Sequence, residues 1–200
     1  ARSGSKGVKD KNIKNLHGHS LLEWSINAAK HSELIDRVFI STDSEEYAKI
    51  GRDCGAEVPF LRPESISGDS SSDLDFILHA IEEFNKINFY PEYIAHIRPT
   101  TPIRDPDLID EAIKLFQDNQ EFTSLRSVHK MSESSYKTLE INNGILTTLT
   151  AFKGGEIDVN KPRQSFPDTY QANGYVDILS TNFILKNNEI HGKIILPFIT

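Results

Sequence analysis

The strongest constraint on this chain's fold is an alternation that runs through its first 120 residues. Short apolar runs at residues 37–41 and 93–97 each give way to a polar turn, and then to an amphipathic helix. Four or five apolar residues bounded by turn signals suit a strand buried on both faces, and strands joined through helices lie parallel. Helices are predicted after Ser20, from Ser44 to Gly55, after the polar turn at residues 69–73, and over residues 105–118. Each repeats apolar side chains at three- and four-residue intervals, as Leu74, Ile77, Leu78, Ile81 and Phe84 do. Residues 57–61 read as a further short strand. The pattern predicts an α/β fold, a three-layer sandwich with a mainly parallel sheet.

The texture changes after residue 122. Residues 122–128, 136–141 and 145–152 read as strands, and Asn142-Asn143-Gly144 is a hairpin turn between the last two. Residues 153–168 are polar and poorly periodic. A strand at 175–179, a short helix at 181–186 and a last strand at 193–199 follow. The chain reads as one domain, with a core of residues 1–128 and 171–200 and a hairpin excursion at 129–170.

The net charge of −7 argues against a broad nucleic-acid surface, although a local cluster of Arg and Lys can still hold a nucleotide. No apolar stretch reaches membrane-spanning length, and no signal peptide is visible. The single Cys54 has no internal partner. These features point to a cytoplasmic protein that uses neither membrane nor nucleic acid.

Chemistry gathers in a few loops. Arg2-Ser3-Gly4-Ser5-Lys6-Gly7, running on to Lys11-Asn12, joins flexible residues to three cations. Glycines bring backbone N–H groups close to an anion and the cations neutralise it, which suits a polyphosphate. The same composition suits a frayed basic terminus. The Asn12 amide can read a base or ribose edge, or cap a loop. Arg98-Pro99-Thr100-Thr101-Pro102 is stiff, hydroxyl-bearing and cationic, and so fits a hydroxylated carboxylic acid, since Arg can hold a carboxylate bidentately. Arg104 reads as an ion pair with Asp105 or Asp107. Asp69 and the serines after it suit helix capping, as do Asp43 and Ser44. Ser41-Thr42-Asp43 has no His at a nucleophile's spacing, and neither His17 nor His19 stands at metal-ligand spacing.

Taken in order, the Arg2–Gly7 loop with Asn12, Ser41-Thr42-Asp43, Asp69-Ser70-Ser71-Ser72, Arg98-Pro99-Thr100-Thr101-Pro102 and Asn173-Gly174 resemble the signature of the CMP-sialic acid synthetases. These are cytidylyltransferases that activate nine-carbon keto sugar acids. The resemblance spans nearly the whole chain. It implies a Rossmann-like sandwich, CTP and a nonulosonic acid as substrates, Mg²⁺ (or Mn²⁺) as cofactor, and a homodimer formed through residues 130–170. It places Arg2 and Lys11 on the phosphates as catalytic groups, with Ser3, Gly4, Ser5, Lys6 and Gly7 wrapping the triphosphate. Asn12, Arg62, Ser70 and Ser71 would lie at the nucleoside, and Arg98, Thr100, Thr101, Arg163, Gln164 and Asn173 at the sugar. It also implies an apolar strand before Arg2 and a metal-binding Asp-x-Asp pair beyond Thr200, so no metal ligand is assigned in this chain.

Two departures stand out. Many sialic acid synthetases carry Gln where Arg98 stands, which turns the expectation toward a legionaminate-like acid, and some carry a second Arg where Gln171 stands. Two rival readings are a cytidylyltransferase for the eight-carbon keto sugar acid, whose loop follows a Ser-Thr-Arg pattern, and a non-catalytic nucleotide-binding domain.

Overall fold

The computed structural model describes residues 1–4, 7–149 and 158–200. Helices form where a side-chain cap meets an apolar stripe. A small hairpin, β1 (Asn15–Leu16) and β2 (His19–Ser20), turns on the positive-φ pair His17 and Gly18 and leads into α1 (Leu21–His31). There Ser20 accepts the Glu23 N–H while Glu23 accepts the Ser20 N–H, a reciprocal cap. Ser44 caps α2 (Glu45–Asp53), and Ser72 caps α3 (Asp73–Lys86) in a second reciprocal box. Asp105 caps α4 (Pro106–Gln117), with Pro106 in the first turn where its missing N–H costs nothing. Ser180 caps α5 (Thr181–Asn187).

The remaining strands are β3 (Tyr93–His96), β4 (Ser124–Lys130), β5 (Leu139–Asn142), β6 (Ile145–Thr148), β7 (Tyr170–Ser180) and β8 (Ile195–Ile199). The central sheet has the order β3-β7-β4-β8. β7 runs antiparallel to both neighbours, and β8 runs parallel to β4. The α/β class holds, but the sheet is mixed rather than mainly parallel, because β7 re-enters from the excursion against its neighbours. Residues 37–41 and 57–61 also form less ladder than predicted. Phe39 and Glu57 make one isolated parallel bridge, and a further bond runs from the Arg62 N–H to the Thr42 carbonyl. Pro59 lies between those two contacts and has no N–H to donate, so the ladder is interrupted.

Alternation along β7 builds the layers. Val176 and Ile178 pack with Ala28 of α1 and with Ile109, Ala112 and Ile113 of α4. Leu179 packs on the opposite face with Ile77 and Ile81 of α3 and Ile184 of α5. Fully burying one such side chain contributes about 1.5–3 kcal/mol, so this sandwich is a rigid frame for the loops at its edge.

β4 and β7 stay paired out to Lys130 and Tyr170, which carries β7 well beyond the predicted 175–179. Past that pair, Asn143 (φ 52°) and Gly144 (φ 79°) turn the β5–β6 hairpin in the left-handed conformation that a two-residue loop requires. The predicted continuation of β6 at residues 150–152, and residues 153–157 of the irregular stretch, lie outside the described residues. Among the described residues β3 pairs only with β7. The cleft beside it is also lined by the segment around Phe39.

Candidate active site

That cleft has a volume of about 940 Å³. Its floor is apolar, including Ile40, Ile77 and Ile178, and its polar lining includes residues of the N-terminal loop, of the loops that follow Ile40 and Ile97, and of the segment before α3. Ligands of open α/β sheets sit beyond the carboxyl ends of strands, which is where these loops converge.

The N-terminal loop is fastened at residues 1–3. The Ala1 nitrogen donates to the Ser41 carbonyl (2.8 Å), and Asn12 Nδ2 donates to the Arg2 carbonyl (3.1 Å). Ser3 gives both its N–H and its hydroxyl to Asp43, each at 2.7 Å. Burial pushes the Asp43 carboxyl up, but the bonds from Ser3 and the neighbouring Arg62 outweigh it and hold the group below the usual range. Asp43 is therefore a loop anchor, while Ser44 caps the helix. Gly4 has φ +70° and open space around it, so backbone can approach a ligand there. Arg2, Gly7, Lys11 and Asn12 line the cleft. The Arg2 guanidinium donates to Asp69 (2.7 Å) and to the Ser67 carbonyl (3.3 Å), joining this loop to the one before α3. Ser5 and Lys6 lie outside the described residues.

Arg62 is buried in the cleft wall. It donates to the Ser41 hydroxyl (3.1 Å) and carbonyl (3.0 Å), and its guanidinium lies 4.4 Å over the Phe76 ring. Burial lowers its pKa. Ser71 lines the same wall, whereas Ser70 is exposed outside it.

Arg98 and Thr100 line the cleft after β3. Arg98 donates through Nη1 to Asp177 (2.7 Å) and through Nη2 to Asp73 (2.5 Å). Thr101 and Asn173 lie just behind, where the Thr101 hydroxyl donates to the Asn173 carbonyl at 2.9 Å. Arg163 and Gln164 are exposed and do not reach the cleft of their own chain; Arg163 donates to the Met131 carbonyl instead (3.3 Å).

Three features were not read from the sequence. Arg104 is a buried staple rather than the partner of a neighbouring Asp. It donates to the carbonyls of Tyr175, Gly174 and Arg98 and to the Ser25 hydroxyl, so α1, the post-β3 loop and β7 are tied through one side chain. Burial takes its pKa down to about 10. Asp73 and Asp177 flank Arg98, and Arg126 Nε stands 3.7 Å from Asp177. His96 packs edge-on against Phe76, and burial, reinforced by Arg98, lowers its pKa to about 4. The available signal was period two: on a β7 strand, Asp177 falls between the apolar Val176 and Ile178, on the opposite face of the sheet.

The lining of one cleft on an acidic protein thus includes Arg2, Lys11, Arg62, Ser71, Arg98 and Thr100. The donor set suits anionic, hydroxylated ligands. Among the described residues no three His, Cys, Asp or Glu side chains converge as metal ligands. Of the carboxylates on these loops, Asp43 is engaged by Ser3, Asp69 by Arg2 and Asp73 by Arg98.

Comparison with known proteins places these features in context. A family model described as cytidylyltransferase matches residues 1–149. An N-acylneuraminate cytidylyltransferase of Escherichia coli O18:K1:H7 is 33% identical over 201 residues, covering 100% of this chain and 45% of that protein. A CMP-N,N'-diacetyllegionaminic acid synthase of Legionella pneumophila is 26% identical over 199 residues, covering 100% of this chain and 83% of that protein. The chain therefore spans less than half of the first relative. Among solved structures, a CMP:2-keto-3-deoxy-manno-octonic acid synthetase complexed with CTP superimposes with a TM-score of 0.68 at 11% identity, over 100% of this chain and 87% of that one. At that identity the likeness concerns the fold.

Proposed function

The chain belongs to the cytidylyltransferase family, and on that basis we propose that it transfers CMP from CTP to the anomeric hydroxyl of a nonulosonic acid, releasing pyrophosphate. The observation that carries this reading is that Arg2, Lys11, Arg62, Ser71, Arg98 and Thr100 all line one cleft. Nucleotidyl transfer brings a nucleophile to an anionic α-phosphate, so fixed cations and backbone N–H groups must offset charge that is already present. Arg2 and Lys11 do so at the phosphates, with the backbone of Ser3, Gly4 and Gly7 beside them. Asn12, Arg62, Ser70 and Ser71 lie toward the nucleoside. Arg98, Thr100, Thr101 and Asn173 form the acceptor end, and Arg163 and Gln164 serve it from a second copy of the chain.

The acceptor's hydroxyl oxygen attacks the α-phosphorus. The bond to the bridging oxygen breaks, and the hydroxyl proton is lost to solvent. Mg²⁺ (or Mn²⁺) enters this reading from the sequence resemblance. The carboxylates at the channel do not form a donor set for it, so no step is assigned to it.

No helix of the described residues is long and apolar enough to cross a membrane. A cytoplasmic homodimer completes the proposal, with residues 129–170 as its contact element. The support is the exposed apolar face of the hairpin, where Leu139, Ile141 and Leu146 are 43%, 76% and 65% accessible. The test is pyrophosphate release from CTP with Mg²⁺, across a panel of nonulosonic acids and the eight-carbon acid. Release with one nonulosonate is the expected result. Release with the eight-carbon acid alone, or with none despite CTP binding, sinks the reading.

A further inference from the structure

Arg98 is the cation nearest the acceptor end of the channel, and the natural assignment for it is the acceptor's carboxylate. Its surroundings argue otherwise. Its two Nη groups are each taken by a carboxylate, Asp177 at 2.7 Å and Asp73 at 2.5 Å. Asp177 is 1% exposed and sits on β7 between His96 of β3 and Arg126 of β4, which are its registered neighbours across the sheet. Its second oxygen has no hydrogen-bond partner and stands 3.7 Å from Arg126 Nε. The two carboxylates that Arg98 bonds offset its own charge, while Arg126 stands near Asp177 and Arg62 also attracts Asp73.

A third carboxylate brought to Arg98 would lie beside two others, and like charges so placed repel strongly inside a protein. The guanidinium still has N–H groups left over, since it carries five and these bonds use two. Its aim is fixed from below as well. Gly174 (φ +68°) lies against the Arg98 side chain, where even an added Cβ would sit 3.5 Å from Cδ. The Arg98 carbonyl is held by Arg104.

Resting on the proposed transfer reaction, we infer that Arg98 meets a neutral group of the acceptor, a hydroxyl or an acylamino carbonyl, rather than its carboxylate. Buried Asp177 is the positioning residue that sets the aim and charge of Arg98. Asp177 touches no substrate and acts through the guanidinium alone.

The experiment begins with pyrophosphate release by the wild-type protein with N-acetylneuraminic acid and N,N'-diacetyllegionaminic acid as probes. Silence with both sinks the transfer reading for these acids and this inference with it; the remaining steps test the inference by itself. For the active acid, the inhibition constant of its C1 carboxamide is compared with the KM of the acid, in the wild type and in Arg98→Gln. If Arg98 meets a neutral group, the penalty for replacing the carboxylate is the same in both proteins within about twofold. A penalty that shrinks about tenfold or more in Arg98→Gln overturns the inference.

Asp177→Asn is expected to raise the acceptor KM about tenfold with the CTP KM unchanged, and to add nothing in the Arg98→Gln background. Effects that multiply across the two substitutions would show that Asp177 does not act through Arg98. If Asp177→Asn fails to fold, Arg98→Lys decides the same point, because it keeps the charge and loses the fork. An unchanged acceptor KM in Arg98→Lys would overturn the inference.

Discussion

Lys11 lines the channel from the turn that follows the N-terminal loop and supports no core contact, so its removal separates chemistry from folding. Lys11→Ala is expected to lower kcat/KM for CTP by about 10- to 100-fold, with the melting temperature unchanged. Steady-state kinetics beside calorimetry checks both parts. His96 gives a pH dependence whose sign follows from burial. Its pKa falls to about 4 in the folded protein, against the ordinary 6.5. Between those values the unfolded chain binds a proton that the folded one refuses. Stability from this group is therefore complete above pH 6.5 and is lost as pH falls toward 4. Thermal unfolding from pH 7 to pH 4 should show this loss, and His96→Gln should flatten it. A slope that is the same in both proteins would place the titrating group elsewhere. Residue roles were the least legible part of the sequence. Arg2, Lys11, Arg62 and Arg98 stood out as cations in loops, but nothing local shows that Arg104 reaches carbonyls about 70 residues away, or that Asp177 is buried.

At the scale of elements, the helices were legible because their starts are written in side chains. Ser20, Ser44, Ser72, Asp105 and Ser180 all accept a backbone N–H from the first turn. Ser72→Ala removes the hydroxyl that accepts the Asp75 N–H, while the backbone N–H of residue 72 can still donate to Asp75, and should cost about 1 kcal/mol in urea unfolding, with little change in slope. Strands were less legible, since their partners are remote. Residues 57–61 carry the right apolar character, yet Pro59 removes a donor where a ladder would need one. The strand was expected to begin only at residue 175, yet residues 170–172 are strand too because Lys130, His129 and Val128 pair with them. Gly192 is a further local requirement that only the packed structure reveals. It has φ +66°, and an added Cβ would lie 2.5 Å from Phe183 and 2.9 Å from Thr123. Gly192→Ala should destabilise the turn into β8 by about 1–3 kcal/mol, which denaturant unfolding would read.

At the scale of the whole molecule, the hairpin sets the expected assembly. Ile141 and Leu146 are direct cross-strand partners on one face of β5–β6, and both stand in solvent in the single chain. Replacing both with Lys puts two like charges in the proposed contact and should shift sedimentation from dimer to monomer. The same change should lower turnover if Arg163 and Gln164 serve the neighbouring channel. A wild-type protein that sediments as a monomer at working concentration would remove this role. The α/β class and the hairpin turn at Asn143-Gly144 were readable from the order of apolar runs and turns. The direction of β7 was not, because a strand's polarity within a sheet depends on the path of the loop that returns it.

The sheet order has a consequence for the chain as it leaves the ribosome. Tyr93 pairs with Ser180, and His96 pairs with Asp177. β3 is therefore synthesised roughly 80–90 residues before the residues that pair with it, and at ordinary translation rates that interval lasts several seconds. Through that time the edge of β3 that β7 will cover is open, which is the condition under which nascent chains aggregate. Helices α3 and α4 flank β3 in sequence and emerge on either side of it, so their early packing can shelter it until β7 arrives. The long reach that makes the site rigid once folded also makes the native sheet wait for β7, and then for β8.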